Sequence, residues 1–210
     1  GGLDGQGQRE LLLALFGVLQ GTTGDVLIDG RAVSITGPSG AKQRNIGMAL
    51  IPEDRKTEGL MLPMSVRDNL SFAALGTLSR WGIIDAAAER AAVERIVKLL
   101  AVRTDGTDMA AGSLSGGNQQ KLVIGKWLMM APRILLLNDP TRGIDVGTKQ
   151  EMYQLLRDLA GAGAAILFYS TDYDELVGCC DRALILYQGR VVRELAGEEL
   201  NEHAIVASAL

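Results

Sequence analysis

Ile134-Leu135-Leu136-Leu137 is the stretch that most narrows what this chain can fold into. Four apolar residues in a row, followed at once by Asn138-Asp139-Pro140, read as a strand buried on both faces. Strands of that kind belong to parallel sheets with helices on either side. The residues that follow keep the same alternation. Gly147 to Leu159 sets Met152, Leu155, Leu156 and Leu159 on one helical face, and Ala164 to Tyr169 is a second apolar strand, ending in Ser170-Thr171-Asp172. Alternating strands and helices predict an α/β fold with a mostly parallel sheet core. The polar pair Asn138-Asp139 then falls at the carboxyl end of its strand, where open α/β sheets bind ligands. With 210 residues, 47% of them hydrophobic, the chain can bury roughly 70% of its unfolded surface.

Leu114-Ser115-Gly116-Gly117-Asn118-Gln119-Gln120-Lys121 reads as a loop that opens directly into a helix. Ser115 suits the N-cap, because its hydroxyl accepts from an orphan N–H of the first turn. Gly116 and Gly117 leave the backbone open to close approach by an anion. Leu122, Val123, Trp127 and Met130 continue at helical spacing. A helix N-terminus of this composition is a phosphate site in waiting, although by itself it is equally an ordinary capped helix after a glycine turn.

A second glycine-rich stretch lies between Gly1 and Glu10, ahead of an amphipathic helix carrying Leu11, Leu12, Leu15 and Phe16. Its backbone N–H groups at Gly5, Gln6 and Gly7 can cradle phosphate. A phosphate-binding loop requires Lys and then Ser or Thr after its last glycine. Gln8 and Arg9 hold those two positions. A dinucleotide-binding reading is weaker, since Glu10 stands where the third glycine belongs.

Between these landmarks, Asp25 to Arg31 reads as a strand ending in an Asp29-Gly30 turn, and Ile46 to Ile51 as another that runs into Pro52-Glu53-Asp54-Arg55-Lys56. Met61 to Met130 is mostly helical. Ser65 caps a short helix through Leu75, and Asp85 caps a longer one with Val93, Ile96, Val97 and Leu100 at core spacing. Ala183 to Tyr187 and Arg190 to Arg193 flank a Gln188-Gly189 turn, and a final helix runs from Glu198 to Leu210.

Composition excludes several classes. The net charge of −4 and the lack of a basic face argue against nucleic acid. Cys179 and Cys180 are adjacent and read as reduced thiols, and the lone His203 has no metal-ligating companions. No stretch reaches the ~18 apolar residues of a membrane span.

Taken together, Leu114–Lys121 and Ile134–Asp145 resemble the signature motif and Walker B segment of ABC transporter ATPases. Asn118-Gln119-Gln120-Lys121 and Pro140-Thr141-Arg142-Gly143-Ile144-Asp145-Val146-Gly147 resemble the second nucleotide-binding domain of the tandem ATPases of bacterial monosaccharide importers. The resemblance implies a P-loop ABC-ATPase fold. Residues 1–60 would form the first part of the core, 61–130 an inserted α-helical subdomain, and 131–210 the second part. The glycine-rich loop hangs from no preceding strand, so the opening strands of the fold are expected to be missing. The substrate would be ATP, with Mg²⁺.

The same resemblance assigns roles. Gly5, Gln6, Gly7, Gln8 and Arg9 fall on the Walker A loop, Glu53 on the Q-loop glutamine, and Asp145 on the D-loop. Asn138 takes the place of the metal-positioning Asp, Asp139 that of the water-polarising Glu, and Thr171 that of the γ-phosphate-sensing His. Asp139 is one methylene shorter than Glu, a displacement of ~1 Å that can cost on the order of a hundredfold in rate. Gln8, Asn138, Asp139 and Thr171 together imply a Walker site that is feeble or dead. Ser115, Gly116 and Gly117 match the family and would complete a site whose Lys and Glu belong to a partner. That partner would be an N-terminal nucleotide-binding domain of the same natural polypeptide. Transmembrane permease subunits, and indirectly a periplasmic or extracellular sugar-binding protein, would complete an assembly at the cytoplasmic face of the membrane. The competing expectation is an ABC-fold scaffold that handles no nucleotide. An ABC ATPase of DNA repair or translation would need basic surfaces or coiled-coil insertions that this sequence lacks.

Overall fold

The computed structural model describes residues 4–208. In chain order the elements are α1 (Gln8–Leu15), β1 (Val26–Ile28), β2 (Arg31–Val33), α2 (Pro38–Ala41), β3 (Met48–Ile51) and α3 (Val66–Ser71). There follow α4 (Leu75–Leu78), β4 (Ser79–Arg80), β5 (Ile83–Ile84), α5 (Ala86–Leu99) and α6 (Gly116–Leu128). The last are β6 (Ile134–Asn138), α7 (Val146–Gly161), β7 (Ala165–Tyr169), α8 (Tyr173–Cys179), β8 (Arg182–Tyr187), β9 (Arg190–Ala196) and α9 (Glu202–Ser208). The chain divides into two compact units, one from the described parts of 1–50, 133–141 and 156–210, the other from 51–132 and 142–155.

The first unit holds the sheet, in the order β3-β6-β7. β6 and β7 run parallel, with Ile134 opposite Ala165 and Asn138 opposite Tyr169. Leu135, Leu136 and Leu137 are each 1% exposed, as a strand covered on both faces requires. α1 packs beside β6 and buries Leu12 and Phe16, while Leu11 is exposed, so the apolar face of α1 is narrower than its four-residue pattern predicts. A separate apolar cluster joins α8, α9 and the antiparallel β8–β9 pair through Leu176, Ile185, Leu195 and Ile205. The final helix is shorter than expected: Gly197–Glu199 is a single 3₁₀ turn, α9 begins at Glu202, and the predicted end at Leu210 lies outside the described residues.

The second unit is mainly helical. Val66 and Leu70 of α3, Val93 of α5, and Leu122, Val123 and Ile124 of α6 form its buried interior. Gly125 is the point of closest approach, where an added Cβ would stand 2.7 Å from Ile96 and 2.8 Å from Leu70. Ser65 caps α3 by accepting from the Asp68 N–H, and Asp85 caps α5 by accepting from Ala87 and Ala88. Asn69, 1% exposed, pins the Met61–Ser65 loop by accepting from the Met61 N–H and donating to the Met61, Met64 and Ser65 carbonyls. The predicted helical block is interrupted by an unforeseen hairpin, β4–β5, whose turn is Trp81-Gly82.

Candidate nucleotide site

The glycine-rich loop enters α1 through Gly5 and Gly7, both at positive φ (76° and 103°). Gln8, at the first position of the helix, is only 5% exposed. Its side chain turns back on the loop, and Oε1 accepts from the Gln6 N–H at 3.0 Å. Gln6 in turn accepts from the β8–β9 turn: its Oε1 takes the Gln188 N–H at 2.7 Å and its carbonyl the Gly189 N–H at 3.0 Å. A Cβ on Gly7 would stand 3.4 Å from the Gly189 Cα. The Gln6 N–H, one of the donors such a loop turns toward phosphate, is therefore taken by a carboxamide of the same loop. Arg9 is exposed.

At the carboxyl end of β6, Asn138 is 4% exposed and its Oδ1 has no hydrogen-bond partner. Asp139 is 2% exposed, with φ of 45°, and its N–H donates to the Tyr169 carbonyl at 2.8 Å. Thr171 donates its hydroxyl to Asp139 Oδ2 at 2.8 Å, with a longer 3.5 Å contact from its N–H to Oδ1. The structure thus brings Asp139 and Thr171 together. Beneath them lies a residue the sequence reading missed. Glu175, 3% exposed, accepts from the Thr141 hydroxyl at 2.5 Å and the Ser170 hydroxyl at 2.7 Å. No local pattern flags a carboxylate on the third residue of a seven-residue helix as the tie between two strand ends.

The Mg²⁺ expected here fits these residues poorly. Mg²⁺ is held by hard oxygens, with one or two carboxylates beside the phosphates. Asn138 offers only a neutral oxygen, Asp139 is engaged by Thr171, and Arg9 replaces the hydroxyl. Among the described residues no group of three or more His, Cys, Asp or Glu side chains is arranged to hold a metal.

The signature stretch lies in the other unit. Ser115 caps α6: its Oγ accepts from the Asn118 N–H at 3.4 Å and from Asn118 Nδ2 at 2.9 Å. With both bonds accepted, its own proton remains to be donated outward. Gly116 and Gly117 follow, and their N–H groups are among those an α-helix cannot satisfy internally. The two glycines are not equivalent. An added Cβ at Gly117 would stand 2.6 Å from Thr148 Oγ1, so that glycine is demanded by packing against α7 rather than left open for a ligand. At Gly116 the neighbour is a guanidinium, Arg55 Nη2, 2.8 Å from the ideal Cβ.

Glu53 pairs with the Arg142 guanidinium. Asp145 caps α7, accepting from the Thr148 N–H and hydroxyl at 2.9 Å each. The Thr148 N–H, then its hydroxyl, hold the Asp145 carboxyl below the usual range. Both residues occupy exposed or half-exposed surface of the same unit as Ser115.

A family model described as "ABC transporter" matches residues 1–142, and the chain belongs to the ABC transporter family. It is 71% identical over 210 residues to a ribose import ATP-binding protein of Mesorhizobium japonicum, covering all of this chain and 41% of that protein. It is 43% identical over 208 residues to the ribose import ATP-binding protein of Geobacillus kaustophilus, covering 99% of this chain and 42% of that one. The chain therefore spans well under half the length of these relatives. Among solved structures, a nucleotide-free ATP-binding cassette from an ABC transporter matches with a TM-score of 0.79 at 21% identity, over 94% of this chain and 79% of that one. A second ATP-binding cassette of an ABC transporter matches with a TM-score of 0.81 at 21% identity, over 100% of this chain and 85% of that one. The fold is that of ABC ATPase cassettes, α/β with a parallel sheet core. Among the described residues no helix is long and apolar enough to cross a membrane.

Proposed function

We propose that this chain is the second nucleotide-binding half of a sugar-importer ATPase, ribose being the sugar its relatives name. In this reading it hands its signature corner to ATP gripped by an N-terminal nucleotide-binding domain of the same polypeptide, while its own Walker site is degenerate. One contrast carries the proposal. At the glycine-rich loop the Gln6 N–H is already bonded to Gln8. At the signature corner, the Gly116 and Gly117 N–H groups have no acceptor among the described residues, and Ser115 keeps a proton to donate. Donors fixed in place before charge develops are the kind that stabilise a transition state. Helix N-terminal N–H groups favour an anion for the same reason.

The partner domain would supply the Lys, the catalytic Glu and Mg²⁺, and permease subunits at the cytoplasmic face of the membrane would receive the stroke. The inserted helical subdomain, residues 61–130, would present the signature. The test is ATP turnover by the complete polypeptide. Ser115→Arg should abolish it, and Asp139→Asn should change it little. The opposite pattern would move the working site to this chain's own strand ends. Loss of neither would leave an ABC-fold scaffold.

A further inference from the structure

Arg55 opens a π-helical turn, Arg55–Gly59, entered through Asp54, whose carboxylate accepts from the Lys56 and Thr57 N–H groups. Its guanidinium is carried to the first residue of α6, with Nη2 lying where a Gly116 side chain would be. Nη1 donates to the Arg142 carbonyl at 3.3 Å, and Nε is buried without a partner. This is an odd place for a structural cation. The N-terminus of a helix carries partial positive charge and favours carboxylates, not guanidinium groups. The first turn of α6 has no acidic residue. Three other cations of the same unit are paired with carboxylates: Arg142 with Glu53, Arg67 with Asp108 and Lys121 with Glu151. Among the described residues Arg55 forms no salt bridge; its chain neighbour Asp54 feels its charge, but that carboxylate accepts from the Lys56 and Thr57 N–H groups. The surplus of donors continues into the second turn, where Gln120, 1% exposed, keeps an Nε2 without an acceptor.

We propose that Arg55 is a phosphate-binding residue of the signature corner, its guanidinium meeting the terminal phosphate of the nucleoside triphosphate beside Ser115 and the Gly116 N–H. The inference rests on the reading that this corner receives nucleotide, and extends it by one residue. Guanidinium binds phosphate oxygens through paired N–H donors. Here the Arg142 carbonyl would hold one arm while the other turns to the ligand. An anion placed between Arg55 and the helix end removes a repulsion that the bare site otherwise carries. A purely structural Arg55 would instead stabilise the nucleotide-free protein.

The experiment uses the complete polypeptide, with steady-state ATP turnover and thermal unfolding followed with and without ATP. Arg55→Gln should lower kcat on the order of a hundredfold, in the range found when one preorganised donor is removed, and Arg55→Lys should recover part of it. Without nucleotide, the Tm of Arg55→Gln should be unchanged or higher. The gain in Tm on adding ATP should shrink relative to wild type. Arg55→Met retains the aliphatic stem and repeats the test should Arg55→Gln fold poorly. Ser115→Arg is measured alongside. If it abolishes turnover while the Arg55 variants turn over normally, the corner takes nucleotide and Arg55 plays no part in it. If Ser115→Arg is itself fully active, the parent reading fails. A fall of several degrees in the nucleotide-free Tm of both Arg55→Gln and Arg55→Met, with kcat retained, would make Arg55 structural and overturn the proposal.

Discussion

Thr171 donates its hydroxyl to Asp139 Oδ2 at 2.8 Å, closing the ends of β6 and β7 one step beyond their last ladder pair, Asn138 with Tyr169. The strands are already joined there by the Asp139 N–H on the Tyr169 carbonyl. The side-chain bond matters because Asp139 is 2% exposed, and a buried carboxylate short of donors is costly. Thr171→Val keeps the shape and removes the hydroxyl. It should lower stability by about 1.5–3 kcal/mol, the range for a hydrogen bond to a charged group, while Thr171→Ser should cost less than half as much. Urea midpoints of the two variants compare them directly. A Val variant as stable as wild type, with the loss confined to the Ser variant, would mean that the methyl, not the hydroxyl, is what the fold uses.

Glu175 ties the same region from below, taking the Thr141 and Ser170 hydroxyls on one oxygen. Glu175→Ala leaves two buried hydroxyls without an acceptor, at about 1–3 kcal/mol each before any cavity is counted. Glu175→Gln keeps a carbonyl oxygen and should retain more than half of the lost stability. Thermal unfolding of both variants tests this. A Gln variant as unstable as the Ala variant would show that the full charge is required.

The sheet and its ends were legible because their signals are local. A run of four apolar residues means burial on both faces wherever it occurs, and Ser65, Asp85 and Ser115 cap helices that begin immediately after them. The Asp29-Gly30 and Gln188-Gly189 turns could be read from residues that tolerate positive φ. Trp81-Gly82 makes the same kind of turn, with φ of 57° and 79°, but Trp carries no turn signal, so the β4–β5 hairpin was hidden inside a helical block. The site residues that sequence reasoning missed depend on long-range packing. Arg55 reaches Gly116 across 61 positions, and Thr148 fills the space at Gly117 from another helix. Neither contact leaves a mark in the local pattern. Gln8 reads from the sequence as a lost Lys, which describes its chemistry. Its turn back onto Gln6 is a matter of geometry.

That backward turn of Gln8 gives a gain-of-function test. Gln8→Lys with Arg9→Thr would release the Gln6 N–H, supply the ammonium for terminal phosphates, and restore the hydroxyl. The double variant should bind a fluorescent ATP analogue at least about tenfold more tightly at this loop, a difference of about 1.4 kcal/mol. The measurement is best made in a Ser115→Arg background, which removes the signature contribution. Unchanged affinity would mean that the β8–β9 turn seated on Gln6, rather than Gln8, keeps nucleotide out.

The vicinal thiols offer a test that depends on pH. Burial pushes the Cys180 thiol up to about 11, and Cys179 is raised for the same reason. Cys180 packs against the cluster of Leu176, Ile185 and Ile205. Its neutral form is therefore favoured by the fold. The stability this contributes is fully present below the pKa of the unfolded thiol, and it is lost as pH rises from about 9 through about 11. Only thiolate is alkylated. With the thiol raised from 9.0 to about 11, the native protein at pH 8 holds about a hundredth of the Cys180 thiolate of the unfolded chain. Iodoacetamide labelling at Cys180, read by mass spectrometry of the peptide, should be about a hundredfold slower in the native protein than in urea. The rate should climb tenfold for each pH unit up to pH 10. A native rate that levels off near pH 9 would place Cys180 in water, and would remove it from the cluster that holds α8 against the β8–β9 hairpin.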